Sequence, residues 1–153
     1  MNRNKIILFF ASLSTVFLIA SCDEKDLVYE GEALIEFSIA TYTNLTKVSK
    51  QSEITKDTVV VQLLSPQQKE DLAFTYTIDA TSTAVEGVHY TIVNKGSYVI
   101  PANKSFGKIA LEVLPGIDPA NTTETRTIIF ILQGNNTVNV SENYKKLTYT
   151  IKI

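Results

Sequence analysis

The chain has 153 residues, a formal charge of −2, one histidine, one cysteine and no tryptophan. That length fits one domain with a real core and excludes two. An acidic balance without a basic stripe interleaved with aromatics excludes nucleic acid as a partner, and one histidine beside one cysteine leaves too few ligands for a zinc-type centre, so no cofactor is expected.

Residues 1–26 read as an export signal. Arg3 and Lys5 precede the apolar run 6–20, which ends in Ile19-Ala20-Ser21-Cys22 and is followed by Asp23, Glu24 and Asp26. A basic start, an apolar middle and small residues before a cleavage point are the three parts such a signal needs. The apolar run is about 15 residues, short of the roughly 20 that span hydrocarbon as a helix, so cleavage is favoured over retention. The Ile-Ala-Ser-Cys ending resembles the lipobox of bacterial lipoproteins, which implies that Cys22 becomes the acylated first residue of the mature chain. The alternative is an ordinary secretory signal with an incidental thiol, but the only cysteine stands where an acyl acceptor must be. Acylation leaves no thiol and no disulfide, so stability must come from core burial. Several acyl chains on one residue hold a membrane far more firmly than one. The acidic run after Cys22 resembles the signal that carries some lipoproteins of Gram-negative bacteria to the outer face of the outer membrane; as a plain solvated tether, it would equally suit the periplasmic face. The expected organisation is a leader at 1–21, an acidic tether at 22–32 and one domain at 33–153.

From residue 33 the signals are β. Ala33, Ile35, Phe37 and Ile39 alternate with Leu34, Glu36 and Ser38, the period of a half-buried strand. Residues 41–56 are polar without helical periodicity and read as a long loop with a short edge segment at 45–48. Residues 58–64 are apolar on both faces, which suits a central strand closed by Ser65-Pro66. Residues 66–72 are too short and polar for more than one helical turn. Phe74, Tyr76 and Ile78 alternate with Thr75, Thr77 and Asp79; residues 98–100 form a short strand ending at Pro101. Residues 106–114 set Ile109, Leu111 and Val113 against Lys108, Ala110 and Glu112 and stop at Pro115-Gly116. Residues 126–133 and 147–153 complete the set. About seven short strands between turn signals, with no amphipathic helix, predict an all-β fold: an immunoglobulin-like antiparallel β-sandwich.

Three runs in the middle of the chain, residues 76–90 with Ala84, Gly87 and Tyr90, residues 98–105 with Pro101-Ala102-Asn103, and residues 108–113, together resemble a Calx-beta domain over roughly residues 58–132. The resemblance implies the sandwich fold and raises calcium binding, for which that family gathers carboxylates at one end. Here Asp118 stands alone where a pair is expected, and His89 occupies a place often held by Asp. Glu86, Asp118 and Glu124 remain as calcium candidates, but calcium takes six to eight oxygens and three dispersed carboxylates make a poor cage. The runs also make sense physically. Gly87 supplies a backbone conformation other residues avoid, Tyr90 can bury its ring, and Asn103 tolerates the left-handed region in a reversal after Pro101.

Catalysis is not expected. His89 has no second histidine or cysteine to join it at a metal and no G-x-S-x-G elbow to serve, and reads as a partly exposed residue at a strand end. Asp57-Thr58-Val59 resembles an O-glycosylation sequon of bacterial surface proteins, which implies Thr58 as acceptor; the plainer reading is a loop-to-strand junction, where Asp and Thr are common. Two roles remain. One is a surface binding or adhesion module held to the membrane by its N-terminal lipid and offering a glycan or protein contact, with Tyr42, Tyr90, Tyr98 and Tyr144 as the aromatics able to stack on sugar. The other is an accessory subunit of an outer-membrane complex, pairing through unprotected edge strands at both termini.

Overall fold

The computed structural model describes residues 31–38, 44–48, 54–96, 98–115 and 125–152. The leader, Cys22, Tyr42, Asp118 and Glu124 lie outside them. The strands are β1 (Leu34–Phe37), β2 (Asn44–Val48), β3 (Thr55–Leu63), β4 (Leu72–Ala73), β5 (Thr75–Ile78), β6 (Tyr90–Ile92), β7 (Val99–Ile100), β8 (Phe106–Val113), β9 (Thr125–Gln133), β10 (Asn139–Val140) and β11 (Lys146–Lys152), and no helix occurs among the described residues. The first sheet runs β10-β1-β3-β8-β6 and the second β2-β11-β9-β5, with a small β4-β7 pair beside them.

Alternation sets the core. Ile35 and Phe37 of β1, Val59 and Val61 of β3, and Ile109, Leu111 and Val113 of β8 are buried on one face of the first sheet. They share one apolar cluster with Ile128, Phe130 and Leu132 of β9 and Leu147, Tyr149 and Ile151 of β11. A residue period of two puts every second side chain of each strand on this face. The inward parity also carries Asp57 toward the second sheet, where its Oδ2 accepts a hydrogen bond from the Tyr149 hydroxyl at 2.8 Å. Burial, then this bond to Asp57, pushes the Tyr149 hydroxyl well above the ordinary tyrosine range.

The predicted sandwich is present, with three departures from the sequence reading. First, β3 begins at Thr55, so Thr58 lies inside a central strand instead of at its junction with a loop. Second, β4, β6 and β10 are additional strands of two, three and two residues, β6 opening at Tyr90. Third, the terminal strands are interior: β1 lies between β10 and β3, and β11 between β2 and β9. The first segment divides between the sheets, β1 pairing in parallel with β10 and β2 in parallel with β11. The true edges are β10, β6, β2 and β5, which removes the open terminal strands on which pairing with an accessory partner was argued.

Past the end of β5, hydroxyl groups take over its place beside β9. Beyond Ile78 the chain turns at Asp79 and runs on beside β9, where Ser82 Oγ accepts from the Ile129 amide at 2.9 Å and Thr83 Oγ1 from the Thr127 amide at 2.8 Å. Side-chain oxygens here replace strand carbonyls, and these two β9 amides are satisfied without a longer β5. The turn is held by Asp79, whose Oδ1 accepts from the Thr81 amide and hydroxyl while Oδ2 meets Lys146 at 3.3 Å. Those bonds, the Thr81 amide first, hold the carboxyl down to about 2. A carboxyl whose folded value lies below its unfolded one stabilises above the unfolded value and loses that contribution as pH falls through the folded one. Asp79→Asn is therefore expected to flatten the fall of Tm between about pH 4 and pH 2 relative to the parent; parallel melting curves of equal slope in that window would contradict it.

Gly87 and Asn103 adopt positive φ, +82° and +58°. At the corner Gly87 donates to the Tyr90 carbonyl at 2.8 Å, and Asn103 completes the reversal in which Lys104 donates to Pro101. Both conformations agree with the sequence reading.

Candidate functional site

Phe106 opens β8 on the solvent side of the first sheet. Gly107, Ile109, Leu111 and Val113 point inward, so Phe106 shares the outward parity of Lys108, Ala110 and Glu112. It is 51 % exposed, and it is the only aromatic side chain in the exposed class among the described residues. Register puts Phe106 opposite Gln62, and Gln62 opposite Glu36, one residue from each of three adjacent strands; Glu36 is buried, so the open part of the row is Phe106 and Gln62. Such opposed side chains lie about 5 Å apart.

A shallow shelf of about 280 Å³ lies against the ring, lined by Asn94, Val99, Pro101, Phe106, Gly107 and Lys108. Gly107 makes it possible: a Cβ there would stand 2.7 Å from the Val99 carbonyl oxygen, so only glycine lets β7 cross this closely. Asn94 fixes the adjoining edge, its Oδ1 accepting from the Ala110 amide at 2.8 Å and its Nδ2 donating to the Lys108 carbonyl at 3.1 Å. The Lys108 ammonium makes no ion pair among the described residues, so it is available as a donor at the rim. An apolar ring beside a polar donor on a rigid sheet suits stacking against a flat or pyranose-like surface.

The aromatics named from sequence do not form this surface. Tyr90 is buried. Tyr98 is half-buried, its ring packed on Phe74 and Tyr76 at centroid distances of 6.0 and 4.8 Å and its hydroxyl 2.9 Å from that of Tyr76. Burial, reinforced by that Tyr98 contact, pushes the Tyr76 hydroxyl well above its ordinary value; burial likewise raises Tyr90, with the Glu86 charge adding to it. Tyr144 is half-buried and Tyr42 lies outside the described residues. Sequence reasoning misses Phe106 although its parity with Lys108 marks it as outward, because a large apolar residue at the start of a strand is ordinarily assigned to the core.

Glu86 is engaged by Lys95, whose ammonium bonds both carboxylate oxygens at 3.1 and 2.9 Å. Among the described residues no three His, Cys, Asp or Glu side chains gather to hold a metal ion. His89 is half-buried just before β6, its Nδ1 accepting from the Val85 amide at 2.9 Å; the imidazole closes the corner. Thr58 is exposed on the outer face that carries Phe106, opposite Ala110.

The two sheets and the division of the first segment between them define an immunoglobulin-like β-sandwich. No family model matches the chain, and no curated protein matches its sequence. Among solved structures it is similar to the apo Calx CBD1 domain, with TM-score 0.56 and 15% identity over 80% of this chain and 97% of that one. It is also similar to a candidate carbohydrate binding protein from Bacteroides ovatus, with TM-score 0.57 and 9% identity over 77% of this chain and 36% of that one. A two-domain protein of unknown function from Bacteroides fragilis gives TM-score 0.53 and 10% identity over 79% of this chain and 45% of that one. The chain thus corresponds to less than half of either bacterial protein. At these identities the likeness is one of fold.

Proposed function

We propose that the protein is a non-catalytic binding module, anchored to the outer membrane by acylated Cys22, facing outward, and contacting a glycan through the Phe106 shelf. The observation that carries it is the exposed Phe106 ring on the outer face of a sheet, where the other described aromatics of the protein are turned in or half-covered. The Bacteroides ovatus neighbour supports a carbohydrate as the ligand class, and an accessory role now lacks the terminal edges it needed. Phe106→Ala removes the stacking surface without touching the core. It is expected to weaken capture on a glycan array by about tenfold, roughly 1.4 kcal/mol, with an unchanged melting temperature. Equal capture by the variant would sink the shelf as the contact.

Anchoring has its own test. Cys22→Ala should leave the chain uncleaved or without lipid, so that it no longer fractionates with the outer membrane after carbonate washing. Retention of a processed variant there would overturn the anchor. Protease accessibility on intact cells separates the outward from the periplasmic orientation. A glycan on Thr58 would share the face with Phe106, and intact mass of the native protein reads it directly.

A further inference from the structure

Away from the Phe106 ring, the end of the sandwich where the chain enters β1 carries a groove walled by carboxamides. About 400 Å³ of it lies between Glu32, Ala33 and residues 135–139. Thr137 also lines a wider recess of about 600 Å³ against residues 66–72, so the two recesses adjoin at this residue. The turn at 101–105 stands between this groove and the shelf.

Both walls are fixed by side-chain bonds. Asn135 Oδ1 accepts from the Thr137 amide at 2.8 Å, the Thr137 hydroxyl at 2.7 Å and the Val138 amide at 3.1 Å, while its Nδ2 donates to the Ala73 carbonyl at 3.0 Å. Opposite, Asp71 Oδ1 accepts from the Ala102 amide at 2.8 Å, and the Gln67 amide donates to Ser105 Oγ at 3.2 Å. A wall already ordered loses little freedom when a ligand arrives. Asn136, Lys69 and Glu70 line the groove with no hydrogen bond or ion pair to another described residue.

We propose that this groove binds a neutral, hydroxyl-rich ligand, an oligosaccharide segment, as a second site distinct from the shelf; it rests on the reading of the protein as a glycan-binding module. The chemistry follows from the walls. Asn135, Asn139, Gln67 and Gln68 already spend amide groups on the protein, whereas Asn136 offers a donor and an acceptor side by side, the complement of a sugar hydroxyl, which both gives and takes a proton. The charged lining residues are the carboxylates Glu32, Glu70 and Asp71 against the single ammonium of Lys69, so the groove has no net positive charge to draw phosphate or another anion. A peptide would need apolar recesses for its side chains, and the large apolar lining residues Leu72 and Val138 are only 7 % and 2 % exposed.

The test uses the full lipidated chain, labelled with nitrogen-15 in detergent micelles and titrated with gluco-, xylo- and manno-oligosaccharides of graded length. The side-chain amide resonances of Asn135, Asn136 and Asn139 are expected to shift, equally in the parent and in Phe106→Ala. Asn136→Ala is expected to weaken that binding three- to tenfold, roughly the loss of one hydrogen bond. Shifts confined to the neighbourhood of Phe106 and lost in Phe106→Ala would leave the shelf standing and overturn the groove. Groove shifts with none near Phe106 would support the groove and overturn the shelf. Silence with every sugar overturns both, and triglycine shifting the groove amides as strongly as any sugar would assign it to peptides and overturn the proposal.

Discussion

Phe130→Ala is expected to lower the unfolding free energy by about 3–5 kcal/mol. Phe130 stands in the middle of β9, fully buried. Its ring meets Phe37 of the opposite sheet edge-on, at a centroid distance of 6.5 Å and 64°, and Tyr76 of its own sheet at 5.3 Å and 69°. It is thus an aromatic link between the two sheets, and its removal leaves a cavity whose walls are strands held by their ladders, with little freedom to collapse. With a single cysteine the 153 residues hold no internal disulfide to offset the loss, and a domain of this size has about 5–15 kcal/mol in all. Urea unfolding with Phe130→Leu as a milder companion measures it. A loss under about 1 kcal/mol for the alanine variant would mean that the core repacks around the site.

Gly107→Ala is expected to cost about 1–3 kcal/mol by overpacking. The added Cβ would stand 2.7 Å from Phe74 Cε1, 2.7 Å from the Val99 carbonyl oxygen and 3.0 Å from Ile100 Cγ1. Phe74 is 1 % exposed and cannot swing away, and the Val99 oxygen belongs to the backbone. Relief therefore requires β7 to move off β8, which also deforms the shelf between Pro101 and Phe106. The effect is one of contact, unlike that at Gly87, where a Cβ meets nothing within 4 Å and the cost lies in a φ of +82°. Gly107→Ala should thus lose both stability and ligand capture, whereas Phe106→Ala loses capture alone. Urea unfolding beside array binding separates them, and a variant of parental stability would show that β7 is not held at the observed distance.

Long alternating strands were legible because each obeys a local rule. β8, β9 and β11 bury every second residue, and their limits fall within a residue or so of those read from the pattern. β6 and β10 were not legible: with three and two residues they are too short for a period, and they exist because Tyr90 meets Val113 across β8 and Asn139 meets Leu34 beside β1. The site was half legible. Phe106 carries an outward parity that the sequence reading did not use, and nothing local turns Tyr90 and Tyr98 inward, since a strand-end tyrosine suits a core or a surface equally well.

The sequence by itself determined the class of fold, the special backbone positions at Gly87 and Asn103, and the expectation of a lipid-bearing Cys22, all of which depend on neighbours in the chain. Only the tertiary structure decided which strands lie at the edges, which aromatic ring meets solvent and which loops wall a groove. Those depend on pairing between residues distant in sequence: β1 lies inside its sheet because β10, about a hundred residues later, covers it, and the shelf exists because β7 crosses a glycine of β8.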